Sequence, residues 1–184
     1  MLILLIVAVV LAVLLLYVIA TYNGLVKLRN RIEAAWAQID VQLKRRYDLI
    51  PNLVETVKGY ASHERATLDA VISARNAAMA APSGSHQQAQ AENAISGALR
   101  QLFALSEAYP DLKANQNFGQ LQEELTSTED RIAYSRQFFN DSVLKYNSKI
   151  QAFPGVILAN AMGFKPREYF EADDDSRGPV QVKF

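Results

Sequence analysis

The sequence predicts an all-α protein: a single N-terminal transmembrane helix running into an antiparallel up-and-down helical bundle of about four long helices. Three observations predict it. Residues 1–20 are all drawn from the hydrophobic set, beyond them apolar residues recur at helical spacing, and no strand-like alternation competes. With 184 residues there is room for one folded domain beside the anchor. The expected division is residues 1–26 as anchor, 27–165 as helical body and 166–184 as a flexible acidic tail.

From Leu2 to Ala20 there is no charged or strongly polar residue, and about 19 residues at 1.5 Å each span roughly 28 Å, close to a bilayer's hydrocarbon thickness. A cleavable leader is the rival reading, with Val18-Ile19-Ala20 as its cut site. It lacks a basic start, and its apolar run exceeds the usual 7 to 15 residues. Just past the span, Lys27, Arg29, Arg31, Lys44, Arg45 and Arg46 outweigh Glu33 and Asp40. The positive-inside bias then expects a single pass with the N-terminus outside and the body in the cytoplasm.

Leu28, Ile32, Trp36, Ile39, Leu43, Tyr47, Ile50, Val54 and Val57 step by about 3.6 residues, one face of a nearly straight helix. Asn23-Gly24 weakens the join to the anchor without forbidding it, so the two are expected to form one rod. Pro51 lacks the amide hydrogen owed to Tyr47 and predicts a kink. Two continuations fit: Gly59 to Ser62 breaks the helix and Ser62 caps a second one to Ala80 on Leu68, Val71 and Ile72, or residues 27–80 form a single rod.

Pro82-Ser83-Gly84-Ser85-His86 reads as a flexible connection. A third helix carries Ile95, Leu99, Leu102, Phe103 and Leu105, and Tyr109-Pro110-Asp111 ends it. The fourth is long, with Phe118, Leu121, Leu125, Ile132, Phe139, Val143, Tyr146, Ile150 and Phe153 near a 3.5 spacing, before Pro154-Gly155. The apolar segment 156–164 has two readings, a plug under the bundle or a membrane-surface contact helped by Lys165 and Arg167.

Lys+Arg 19 against Asp+Glu 19 leaves no net charge, which argues against a nucleic-acid partner, and the cluster Lys44-Arg45-Arg46 reads as solvated charge. The absence of cysteine excludes disulfides, thiolate zinc sites and cysteine nucleophiles. His63-Glu64 begins like a zinc-protease motif, yet Thr67 stands where the second histidine belongs, and His86 lies in the connection. No phosphate-cradling glycine loop occurs. No catalytic, cofactor-binding or metal residue is therefore expected, and no cofactor.

The interaction candidates are of two kinds. Ala34, Ala35 and Ala37 around Trp36 form a small-residue patch that either admits a neighbouring helix or packs inside one bundle. Glu64 and Arg75 interrupt the apolar register, so either they pair across the bundle with Arg136 or Glu129, or they face water.

The ordered series Tyr22-Asn23, Leu25 to Asn30, Ala35-Trp36, Ile39 to Arg46, Asp48 to Val54, Val57 to Tyr60, His63-Glu64 and Ala74 to Asn76 resembles the LemA family of bacterial membrane-anchored helical proteins. The likeness continues in Glu107 to Ala114, Phe118 to Leu125, Glu129, Arg136, Tyr146-Asn147 and Phe153-Pro154. The resemblance implies an N-terminal anchor, a cytoplasmic bundle, no established enzymatic activity and a place in the bacterial inner membrane. Some relatives resemble magnetosome membrane components, and others are encoded beside HtpX-like membrane metalloproteases. The function expected is a non-enzymatic scaffold that self-associates on the bilayer and supports membrane organisation or quality control. The alternative is an adaptor for another membrane protein such as that protease, using the acidic stretch 107–130.

Overall fold

In the computed structural model the described residues, 1–170, form six helices and no strand: α1 Leu2–Lys58, α2 Arg65–Ala80, α3 His86–Ser106, α4 Pro110–Lys113, α5 Gln116–Gln151 and α6 Gly155–Ala161. Four of these are long, and α4 and α6 are short additions. The acidic run from Glu171 to Asp175 lies outside the described residues. The described residues divide into two compact units, one made of Met1–Ala37 with Gln137–Tyr169 and the other of Gln38–Arg136 with Phe170.

α1 is continuous through Asn23-Gly24 and through Pro51, so anchor and first body helix are one element. Pro51 is solvent-exposed and removes one backbone hydrogen bond without ending the helix. The break does come at Gly59. Tyr60 and Ala61 both donate their amides to the carbonyl of Val57, Glu64 donates to Ala61, and Ala61 is buried at the pivot. This extra turn delays α2 to Arg65, so Ser62 is not its cap, and Glu64 holds the cap position without a side-chain bond. Leu68, Val71 and Ala78 are the buried stripe of α2, while Ile72 is 39 % exposed.

The expected flexible connection is a capped turn. Ser85 Oγ accepts from the Gln88 amide at 3.1 Å and donates to the Pro82 carbonyl at 2.6 Å. Gly84, at φ +74, takes the left-handed conformation that the turn requires. α3 therefore opens at His86, well before its apolar stripe. It closes at Ser106 rather than at Tyr109, and Pro110 starts α4, where a missing amide hydrogen costs nothing. Asn115 caps α5 by accepting from the Phe118 amide at 3.0 Å. Phe153 is 81 % exposed, so it does not belong to the buried stripe of α5.

Within the second unit the core joins Ile50, Leu53 and Val57 of α1 to Leu68 and Val71 of α2, Ile95 and Leu102 of α3, and Phe118 and Leu125 of α5. Burying each such side chain stabilises the fold by about 1.5–3 kcal/mol. Cross-contacts set the directions. Arg45 meets Glu124 and Tyr60 meets Asn115, so α1 and α5 are antiparallel. Tyr47 meets Arg75, making α1 and α2 antiparallel, and α3 returns alongside α2. In the first unit Trp36 packs edge-on to Phe139 at 5.5 Å and Tyr22 to Phe164 at 5.9 Å. Gly24 lies against the Lys149 ammonium group, which an added Cβ would have to displace.

Candidate functional site

The second unit carries a charged cluster inside its apolar core. Arg46 is 1 % exposed, because it stands three residues after Leu43 and four before Ile50, in the same register as the core of α1. Glu92, also 1 % exposed, stands three residues before Ile95 in the core register of α3. The two form an ion pair through Arg46 Nη2 and Glu92 Oε2. Arg46 Nη1 reaches Glu129 of α5 at 2.5 Å and Ser96 of α3 at 3.2 Å, and Ser96 donates to the other Glu129 oxygen. Tyr47 donates its hydroxyl to Glu92, and Arg75 Nε donates to the Tyr47 carbonyl at 2.8 Å.

One guanidinium thus bridges carboxylates from two other helices. Such a pair recovers little net energy, because desolvation offsets most of the Coulomb attraction, but it disfavours every packing that separates the partners. Burial, followed by the hydrogen bond to the Glu92 carboxylate, pushes the Tyr47 phenol far above its ordinary value of 10.0. Burial, followed by the neighbouring charge of Arg46, lowers Arg136. Arg136 donates to Asn93 at 3.3 Å and lies 4.8 Å over the ring of Phe170. The Tyr109 phenol, donating to Glu64 at 2.9 Å, is raised chiefly by that bond.

The polar residues singled out by spacing are placed differently from expectation. Glu64 takes the Tyr109 hydroxyl, Arg75 takes the Tyr47 carbonyl and Glu129 takes Arg46, so neither Glu64 nor Arg75 pairs with Arg136 or Glu129. The reason is register: Arg46 reaches Glu129 first, from within the core. The cluster read as solvated is split accordingly. Lys44 and Arg45 are exposed, and Arg46 is buried. Of the alanine patch, Ala35 is fully buried and Trp36 half-buried against Phe139, while Ala34 and Ala37 are exposed. Apolar spacing does not single out Glu92 and Ser96, although the step from Glu92 to Ile95 and on to Leu99 and Leu102 carries the signal.

In the first unit, Asn147 is 8 % exposed and holds the backbone of Arg167 from both sides. It donates to the Arg167 carbonyl at 2.8 Å and accepts from the Arg167 amide at 2.9 Å. Next to it, Tyr146 donates its hydroxyl to the carbonyl of Lys165 at 3.1 Å. Residues 165–167 are therefore tied to α5, although the tail was expected to be flexible from residue 166. Among the described residues no three His, Asp or Glu side chains converge closely enough to hold a metal ion.

These features define a class: an all-helical chain with a charge-locked core, whose first helix carries a segment long and apolar enough to cross a membrane. The chain belongs to the LemA family, whose model matches residues 35–184. It is similar to magnetosome protein MamQ of Magnetospirillum gryphiswaldense, at 27 % identity over 86 % of this chain and 68 % of the relative. It is also similar to magnetosome protein MamQ 2 of Paramagnetospirillum magneticum, at 26 % with the same coverage. Protein LemA of Metamycoplasma hominis is 28 % identical over 87 % of this chain and 73 % of the relative.

Proposed function

We propose that this chain is a membrane-anchored, non-enzymatic scaffold that self-associates at the bacterial inner membrane and supports membrane organisation or quality control. The observation that carries it is the exposed apolar stretch from Leu2 to Ala20, continuous in one helix with the LemA body. Side chains of this kind are left uncovered where lipid is the solvent. Lys27, Arg29 and Arg31, just beyond the stretch, support a single pass with the body in the cytoplasm. The names of the MamQ relatives, magnetosome proteins, support a role in organising a membrane.

Self-association is supported by Ala34 and Ala37, which offer a small-residue face of α1 to a neighbouring helix. Native mass measurement of the full chain in mild detergent tests it: a defined oligomer is expected, and a monomer at every concentration would refute it. A reporter fused after Phe184 that works only in the periplasm would refute the orientation.

A second reading, an adaptor for another membrane protein such as an HtpX-like metalloprotease, draws on the exposed acids Asp111, Glu123 and Asp130. The acidic surface is smaller than its sequence suggests, since Glu107 pairs with Lys113, Glu124 with Arg45 and Glu129 with Arg46. A stoichiometric co-purifying partner would favour this reading over pure self-assembly.

A further inference from the structure

We propose that α6 is a second membrane contact, lying flat on the headgroup region of the same anionic bilayer that α1 crosses; this rests on the anchor reading of Leu2–Ala20. α6 is amphipathic in an unusual sense. Gly155 and Ala159, one turn apart, are its buried side, while Ile157 is 60 % exposed and Phe153, four residues earlier, is 81 % exposed. Met162 adds a further 38 % exposed apolar side chain. With Gly155 and Ala159 buried, Val156 and Leu158 half-buried and Ile157 exposed, the helix and the flanking Phe153 and Met162 together turn an apolar face outward.

What covers that face follows from its place in the first unit. Phe164, three residues after α6, packs edge-on against Tyr22, which stands two residues beyond the apolar stretch of α1. The α6 segment is thus fastened to α1 at the level where the membrane-crossing residues give way to polar ones. Charge points the same way. Between Ser142 and Arg167 the chain carries Lys145, Lys149, Lys165 and Arg167 and no acidic residue. All four are exposed, and among the described residues only Arg167 of the four forms an ion pair, with Glu33 at 3.8 Å, while Asp141 and Glu168 flank the run. Across from them, Thr21 to Ile32 of α1 contains three basic residues and no acid. Outward apolar groups within a basic collar suit the boundary of an anionic leaflet, where apolar side chains enter roughly 5–10 Å and the cations meet the headgroups.

The absence of cysteine allows single labels to be placed without background. Full-length Phe153→Cys, Ile157→Cys, Leu11→Cys and Ser127→Cys are spin-labelled, reconstituted in phosphatidylglycerol-containing vesicles, and probed for collision with oxygen and with a water-borne nickel chelate. All four positions are exposed, so the fold should tolerate the labels. The expected result is oxygen-dominated collision at position 11, an intermediate but lipid-shifted ratio at 153 and 157, and chelate-dominated collision at 127. Labels at 153 and 157 that meet the chelate as freely as the one at 127, while position 11 remains in lipid, overturn the α6 contact and leave the anchor standing. Shielding from both agents with spin–spin broadening at 157 assigns the face to a second copy and also overturns it. A water-exposed position 11 refutes the anchor reading itself, and the α6 proposal with it.

Discussion

The guanidinium of Arg46 and the carboxylate of Glu92, 46 residues apart in sequence, form an ion pair in which the side chains are 1 % and 0 % exposed. Removing Glu92 leaves Arg46 its bond to Glu129, but removing Arg46 leaves the Glu92 carboxylate buried without its ion pair. Arg46→Met is expected to lose about 3–5 kcal/mol of stability, whereas Arg46→Met combined with Glu92→Leu restores most of it. Denaturant unfolding followed by circular dichroism in mild detergent gives both numbers. An Arg46→Met protein as stable as the parent would contradict the buried pair.

Tyr47 makes a pH prediction. Its phenol holds its proton more tightly when folded than the ordinary value of 10.0 allows. Below pH 10 both states keep the proton and the contribution is complete. Above pH 10 the unfolded chain releases it first, so stability falls as pH rises towards the folded value. Tyr47→Phe should be less stable at neutral pH and should show a shallower loss between pH 10 and 11. Equal slopes for the two proteins would show that the phenol is not held this way.

Asn147 makes a local one. Asn147→Ala removes both bonds to the Arg167 backbone and is expected to cost about 1–3 kcal/mol. It should also speed tryptic cleavage after Arg167 while leaving cleavage elsewhere unchanged. A cleavage rate equal to the parent's would mean that the segment is held by something else.

Ala34 and Ala37 separate assembly from folding. A Glu at either exposed position should reduce the detergent-extracted complex towards monomer with little change in melting temperature. Ala35→Leu, at a fully buried position, should instead cost about 1–3 kcal/mol of stability through overpacking and so lower the melting temperature. Glu substitutions that leave the mass unchanged would move the self-association surface elsewhere.

Arg46 shows how far spacing reaches. Arg46 and Tyr47 are both within one step of the stripe from Leu43 to Ile50, and an apolar preference selected the tyrosine. The structure buries the arginine because Glu92 and Glu129 arrive from α3 and α5 to neutralise it. The same partners explain why Glu129 was not available to Arg75. By contrast, Asn147, visible only as a family signature, and the hydroxyl of Tyr146, a member of the α5 stripe, acquire a physical reason in the backbone of residues 165–167.

The order of the long helices and the bilayer-length apolar stretch were determined by sequence alone, because helix periodicity and hydropathy depend on residues within a few turns of one another. The choice between a break at Gly59 and a single rod was left to the structure. Which charges neutralise each other, which alanines remain open, and which way α6 turns its large side chains were decided only by the tertiary structure. Those outcomes depend on the distance between residues far apart in the chain, and a buried charge is tolerable only where packing supplies its partner.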